Sequence, residues 1–181
     1  MERVLITGAG RGIGLEYARQ YAARGDRVLA GCRYPDRSGP FPDGVEPVEL
    51  DVTDSASINA AVERIGADED GGLDVLINNA GLSPRGEELS NLDAEAMLDV
   101  FRVNAVAPVI LLQRFRRLLA VSDRPRVVNM SSSMGSLAKK TYGRHYSYAS
   151  SKAALNMLTR AAAHDLAAEG VIVIAMHPGW V

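Results

Sequence analysis

Tyr148 and Lys152 stand four residues apart in the run Tyr148-Ala149-Ser150-Ser151-Lys152. On a helix that spacing places them on one face, within reach of each other. A tyrosine hydroxyl ionises at about pH 10 and exchanges protons poorly at neutrality, but a neighbouring ammonium favours the phenolate and lowers that value. Tuned in this way, a tyrosine can work as a general acid–base. Upstream, Ser131-Ser132-Ser133 follows a β-branched run. A serine at such a strand mouth can hydrogen-bond a substrate oxygen and stabilise charge developing there. Singly, each residue has a plain explanation: a serine after a strand is an ordinary turn residue, and a Tyr/Lys pair is ordinary helix surface. Their joint occurrence carries the reading.

Thr7-Gly8-Ala9-Gly10-Arg11-Gly12-Ile13-Gly14 lies between a strand-like run and a helical one. The pattern is G-x-x-x-G-x-G, since position 13 is isoleucine. Glycines allow a tight turn and close backbone approach, and the helix amino terminus then faces a pyrophosphate. A glycine-rich turn without a ligand is the plain alternative, disfavoured by the strand–turn–helix context at the first crossover. An NAD site usually places an acid after the second strand, where this chain reads Leu29-Ala30-Gly31-Cys32-Arg33. The missing acid, with Arg33 and Arg11 as partners for a 2′-phosphate, favours NADP(H), with NAD(H) as the alternative. Two solvated surface arginines would be the bland reading.

Positioning these groups requires alternating strands and helices. Strand-like runs fall at 4–7, 27–30, 46–50, 73–77, 126–130 and 171–175, several of them continuously apolar, as expected of strands covered on both faces. Helical spacing occupies 13–23, 55–65, 93–120 and 148–168, with Pro108 interrupting the third. Asp54 reads as a helix N-cap, and Gly25 and Gly170 as helix ends. The pattern predicts an α/β fold, a doubly wound parallel sheet with right-handed crossovers and helices on both faces.

At 181 residues, one domain over 1–181 is expected. A composition of 47% hydrophobic and 23% charged residues excludes disordered and fibrous classes. A formal net charge of −2 gives no argument for nucleic acid or a membrane surface as partner. No apolar run approaches the roughly 20 residues that span a bilayer. Cys32 is the one cysteine, which excludes an internal disulfide and fits a reducing cytoplasm, and Met1-Glu2-Arg3-Val4 runs directly into a strand-like segment, so no signal peptide is expected. His145, His164 and His177 lack metal-ligand spacing, so no metal is expected.

Four further motifs join the glycine turn: Asn78-Asn79-Ala80-Gly81, Val103-Asn104, Ser131-Ser132-Ser133 and Tyr148-Ala149-Ser150-Ser151-Lys152. In these the chain resembles a classical short-chain dehydrogenase/reductase with a Rossmann fold. The wording of Leu50-Asp51-Val52-Thr53-Asp54, Ala153-Ala154-Leu155-Asn156-Met157-Leu158-Thr159 and His177-Pro178-Gly179-Trp180-Val181 is similar to the C-factor-like and Sniffer-like carbonyl reductase branch. The resemblance implies transfer of a hydride between a nicotinamide and a small carbonyl or alcohol, by a tetrad of Asn104, Ser132, Tyr148 and Lys152. It selects Ser132 as the serine three residues before Gly135. It also implies that Lys152 holds the nicotinamide ribose and that Asn104 holds a water connecting Lys152 to solvent. By matching position, the cofactor would meet Gly8, Gly10, Arg11, Gly12, Ile13, Gly14 and Arg33. Asp51 and Val52 would touch the adenine, the backbone of Asn79, Ala80 and Gly81 would line the adenosine ribose, and Tyr148, Lys152, Pro178 and Gly179 would lie by the nicotinamide. Some relatives are linked to cell–cell signalling, so a cofactor-binding regulatory protein is one rival reading. A 3-oxoacyl or steroid-type reductase is the other.

Segments 82–91 and 134–146 are expected to set substrate selectivity. The second contains Lys139, Lys140, Arg144 and His145, which read as a solvated face or as a meeting point for an anionic substrate. Dimerisation through the middle helix and the Tyr148 helix is expected from the resemblance. Ala105, Val109, Leu112, Leu155, Met157 and Leu158 are candidates for it, though the same residues could face the sheet. Relatives continue past the Pro-Gly segment with a last strand and helix, expected to be absent from these 181 residues, whether as a piece of a longer chain, an unseen tail or a natural short form. Intact mass distinguishes these.

Overall fold

The computed structural model describes residues 1–68 and 71–179. Its strands are β1 (Arg3–Thr7), β2 (Arg27–Cys32), β3 (Val45–Glu49), β4 (Val75–Asn78), β5 (Arg126–Met130) and β6 (Ile172–Met176). They form a single parallel sheet in the order β3-β2-β1-β4-β5-β6, the doubly wound arrangement expected. The order reverses between β1 and β4. In such sheets, ligands bind beyond the carboxyl ends of the strands at that reversal.

Alternation along β1 divides the core. Leu5 faces the layer built with Ile58, Ile65, Leu111, Phe115 and Leu119, while Val4 and Ile6 face the layer with Ala18 and Val28. Helix α1 (Gly12–Ala23) covers the second face. The first is covered by α2 (Ser55–Gly66), α4 (Ala107–Leu119) and the carboxyl part of α5 (Tyr146–Asp165). On β6, Val173 is buried while Ile172 and Ile174 are exposed. Among the described residues no helix is long and apolar enough to cross a membrane.

Local signals act as their chemistry dictates. Asp54 caps α2 by accepting from the amides of Ala56 at 3.0 Å and Ser57 at 3.3 Å, and Gly25 and Gly170 adopt positive φ at their helix ends. The 93–120 stretch is not one helix. It divides into α3 (Ala94–Phe101), a π-helical turn over Arg102–Val106, and α4. The break precedes Pro108, because proline has no N–H to return to the Asn104 carbonyl four residues back and its ring crowds that carbonyl. Helix α5 begins at Tyr146, two residues before the expected start. Of the dimer candidates, Ala105, Leu112 and Leu155 are buried within the chain, Leu112 in the core under the sheet, while Met157 is exposed.

Phe115 is fully buried against the sheet. Replacing it with alanine is expected to destabilise the chain by about 3–5 kcal/mol in urea denaturation, and a loss below about 1 kcal/mol would contradict this packing.

Candidate active site

The loops after β1 and β4 meet across the sheet reversal. Thr7 Oγ1 accepts from the amides of Asn79 and Ala80, each at 3.0 Å. The Asn79 side chain returns hydrogen bonds to the carbonyls of Thr7 at 3.0 Å and Gly8 at 3.2 Å. Gly8 has φ +65°, and a Cβ there would lie 2.9 Å from Ala80 Cα; one at Gly14 would lie 2.5 Å from Asn79 Nδ2. Backbone approach this close admits no side chain. The amides of Asn79 and Ala80 are therefore committed to Thr7, leaving their carbonyls and Gly81 to line any ligand.

Helix α1 opens from this turn with Arg11 at its cap, no side-chain cap and no acid in its first turn. The first amides of a helix have no intrahelical acceptor, so Gly12, Ile13 and Gly14 present donors and the positive end of the dipole. A Cβ on Gly12 would meet nothing within 4 Å. Such a cradle suits an anion, and its residues fit the pyrophosphate of a dinucleotide.

Beside it, Arg33 and Arg37 both lie over the Tyr34 ring, at 5.9 and 5.6 Å from its centroid. The turn Pro35–Arg37 brings Ser38 against Gly10, where a Cβ would meet Ser38 Oγ at 2.6 Å. The Ser38 hydroxyl itself donates to the Tyr34 carbonyl at 2.8 Å. Arg37 and Ser38 did not emerge from the sequence as site residues. The only sequence signal for Arg37 is its i+4 relation to Arg33 around an aromatic. Asp51 accepts from the Thr53 amide at 2.9 Å and hydroxyl at 2.7 Å. Burial would raise its pKa, but those bonds and the Arg33 charge outweigh it and hold the carboxyl below its ordinary value. Asp51 thus stays ionised, and with Val52 it sits at the end of β3 as expected.

The four tetrad residues come from separate elements. Asn104 is fully buried in the π-helical turn. Its Oδ1 accepts from the Leu82 amide at 2.8 Å, and its Nδ2 donates to the Leu82 carbonyl at 2.8 Å and to Ser151 Oγ at 3.1 Å. The amide is fully used as a clamp, so a water held by Asn104 would rest on its main-chain carbonyl, to which Pro108, four residues on, has no N–H to donate. Ser131 is buried, and its hydroxyl donates to Asn156 Oδ1 at 2.6 Å. Ser132 is half-buried, and its Oγ accepts the Met134 amide at 3.2 Å. Its own proton goes to no group among the described residues. A Cβ on Gly135 would stand 2.8 Å from the Lys152 carbonyl carbon. That contact seats the turn after Ser132 directly on α5 and explains physically why glycine stands three residues on.

Tyr148 is half-buried in the first turn of α5, and Lys152 lies one turn below with Nζ 5.7 Å from the tyrosine ring centroid. Lys152 is buried; its ammonium donates to the Met130 carbonyl at 2.6 Å and sits near Gly81, whose Cβ would be 4.0 Å away. Burial pushes its pKa from 10.5 down to about 8. The Ser131 amide donates to the Met176 carbonyl at 2.7 Å, which sets the end of β6, from which Pro178 and Gly179 continue, beside the turn after β5. Trp180 and Val181 lie outside the described residues.

This sheet, glycine cradle and Tyr–Lys pair together fit the class of dinucleotide-binding oxidoreductases. The chain belongs to the short-chain dehydrogenase family, whose profile, described as "short chain dehydrogenase", matches residues 2–181. It is similar to the C-signal of Myxococcus xanthus, 42% identical over 111 residues that cover 61% of this chain and 67% of that protein. The NADPH-bound carbonyl reductase from chicken fatty liver has a TM-score of 0.89 at 34% identity, covering 99% of this chain and 80% of that one. The carbonyl reductase Sniffer of D. melanogaster has a TM-score of 0.92 at 28% identity, covering 99% and 81%. The likeness to the C-factor and Sniffer branch is borne out. The chain spans between two thirds and about four fifths of the length of these relatives.

The depressed Lys152 pKa has a signed consequence. Below pH 8 folding buries a cation; above 10.5 the group is neutral in both states and the penalty vanishes. Relative to Lys152→Met, the wild type should gain stability between these values, by on the order of a few kcal/mol in urea denaturation. A difference that stays flat or shrinks the other way would contradict the burial.

Proposed function

We propose that residues 1–181 form one NADP(H)-binding domain catalysing reduction of a small aldehyde or ketone, or the reverse oxidation of an alcohol. The observation that carries this is the buried Lys152 ammonium one helical turn from a half-buried Tyr148 at 5.7 Å, at the carboxyl edge of the sheet. The bound nicotinamide supplies the hydride for the carbonyl carbon. Tyr148 gives its phenolic proton to the carbonyl oxygen as the C–O double bond becomes single, and Lys152 stabilises the phenolate left behind. Ser132 donates its uncommitted hydroxyl proton as a hydrogen bond to the same oxygen, where negative charge builds. Asn104 holds Gly81 and Leu82 in place over Lys152, and its carbonyl is the site for a water that returns the proton. Gly8, Gly10, Gly12, Ile13 and Gly14 hold the pyrophosphate, and Asn79, Ala80 and Gly81 the adenosine ribose. Asp51 and Val52 lie by the adenine, and Pro178 and Gly179 by the nicotinamide. Arg33, with Arg11 and Arg37, supports NADP(H) over NAD(H), because the end of β2 offers a ribose 2′-hydroxyl no carboxylate. The NADPH held by the similar chicken reductase supports the same choice.

The likeness to a protein named C-signal keeps a second reading, a cofactor-binding protein without turnover. NADPH consumption across a panel of aldehydes, ketones and quinones separates the two. Wild type should turn over at least one member, and Tyr148→Phe should lower kcat by about 10²–10⁴-fold while NADPH still binds. Binding without consumption on the whole panel would favour the second reading. Arg33→Ala should weaken NADPH by about 10–100-fold and NADH less than about twofold, the value of a charge-assisted bond. Equal losses would remove the 2′-phosphate assignment.

A further inference from the structure

The amino end of α5 carries an unusual device. Its cap residue, His145, and the preceding Arg144 both adopt left-handed backbone, with φ of 52° and 70°, and His145 gives no side-chain cap. Non-glycine residues in that region persist only where surrounding contacts over-determine them. The contacts come from the loop after β4 and from Lys140. The carboxylate of Glu87 accepts the Ser147 amide at 3.0 Å through Oε2 and the Ser147 hydroxyl through Oε1. Glu88 pairs with Arg144 at 3.1 Å, and Lys140 Nζ holds the Arg144 carbonyl at 2.7 Å.

We infer that Glu87 is a positioning residue that caps α5 from a distant loop and thereby fixes Tyr148. Ser147 and Ser151 are both fully buried and lie one turn apart on the same helix face. Ser147 binds Glu87, and Ser151 binds Asn104, which clamps Leu82. The 82–87 loop is therefore stitched to α5 at two points that bracket Tyr148 in sequence. A carboxylate at a helix amino terminus also satisfies an otherwise orphaned amide and matches the dipole. With Glu87 in place, the first turn of α5 stays wound, and the phenol keeps its place above Lys152. The same contact ties the wall expected to meet substrate to the helix bearing the acid–base group. This inference rests on the reading of Tyr148 as that group.

The test uses the full chain. In the cofactor-free protein, Glu87→Ala should speed hydrogen exchange at the Ser147 amide by about tenfold or more. With NADPH and 4-nitrobenzaldehyde, Glu87→Ala should lower kcat by roughly twentyfold or more, as misplaced catalytic groups do, with KM for NADPH within about twofold. Glu87→Gln keeps an acceptor for the amide and a polar partner for the hydroxyl, and should recover kcat to within about fourfold of wild type. The inference is overturned if Ser147 exchange is unchanged in Glu87→Ala. It is equally overturned if kcat stays within about twofold, if KM for NADPH rises in step with the loss, or if Glu87→Gln is no better than Glu87→Ala. Tyr148→Phe is run alongside. Retained activity there refutes the acid–base role, whereas the Ser147 exchange rate reports on the Glu87 cap without any turnover.

Discussion

Everything at the carboxyl edge of this sheet depends on the joint between Thr7 and Asn79. Four hydrogen bonds link the loop after β1 to the loop after β4: two from backbone amides to the Thr7 hydroxyl and two from the Asn79 amide to backbone carbonyls. Successive strands of the parallel sheet are added outward in opposite directions from this reversal, so the joint faces the crevice beyond their carboxyl ends. Gly8 and Gly14 let the two backbones close to contact, and that closure aims the free amides of α1 along the crevice. On the other side, Gly81 carries the chain past Asn104 and Lys152. One local bonding pattern thus relates the helix cradle to the Tyr148–Lys152 pair.

The second constraint is energetic. Lys152 is an ammonium buried with a backbone carbonyl as its hydrogen-bond acceptor, an arrangement that costs stability and depresses its pKa. Such a cost persists where a group serves a reaction. The fold supports it through tight contacts: Gly135 rests on the Lys152 backbone, and Asn104 reaches Ser151 next to it. These place a cation beside a phenol at the carboxyl edge of the sheet.

Much of this architecture is legible in the sequence. Continuous apolar runs separated by helical spacing specify a parallel sheet, and Asp54, Gly25 and Gly170 mark their own ends because capping and left-handed backbone are local chemistry. The candidate site residues stand out because their spacing belongs to a family. What escaped was non-local. The 93–120 stretch breaks ahead of Pro108 because the proline acts on a carbonyl one turn back, and a helical periodicity does not show a π turn. Helix α5 starts two residues early, where Glu87, sixty residues upstream in the chain, accepts the Ser147 amide. The commitment of the Asn104 amide to Leu82 and Ser151, and the inward bond of Ser131 to Asn156, depend on which loops the sheet brings together. Spacing alone does not contain that information.

The central claim is that one crevice both binds NADPH and passes its hydride to a carbonyl carbon. Isotope transfer tests it most directly. NADPH deuterated at the transferable C4 position is incubated with the chain and an aldehyde, and the alcohol is examined by NMR. The account predicts one deuterium on the carbinol carbon for each NADPH consumed. NADPH bound without alcohol formation, or alcohol with no deuterium at that carbon, would contradict it.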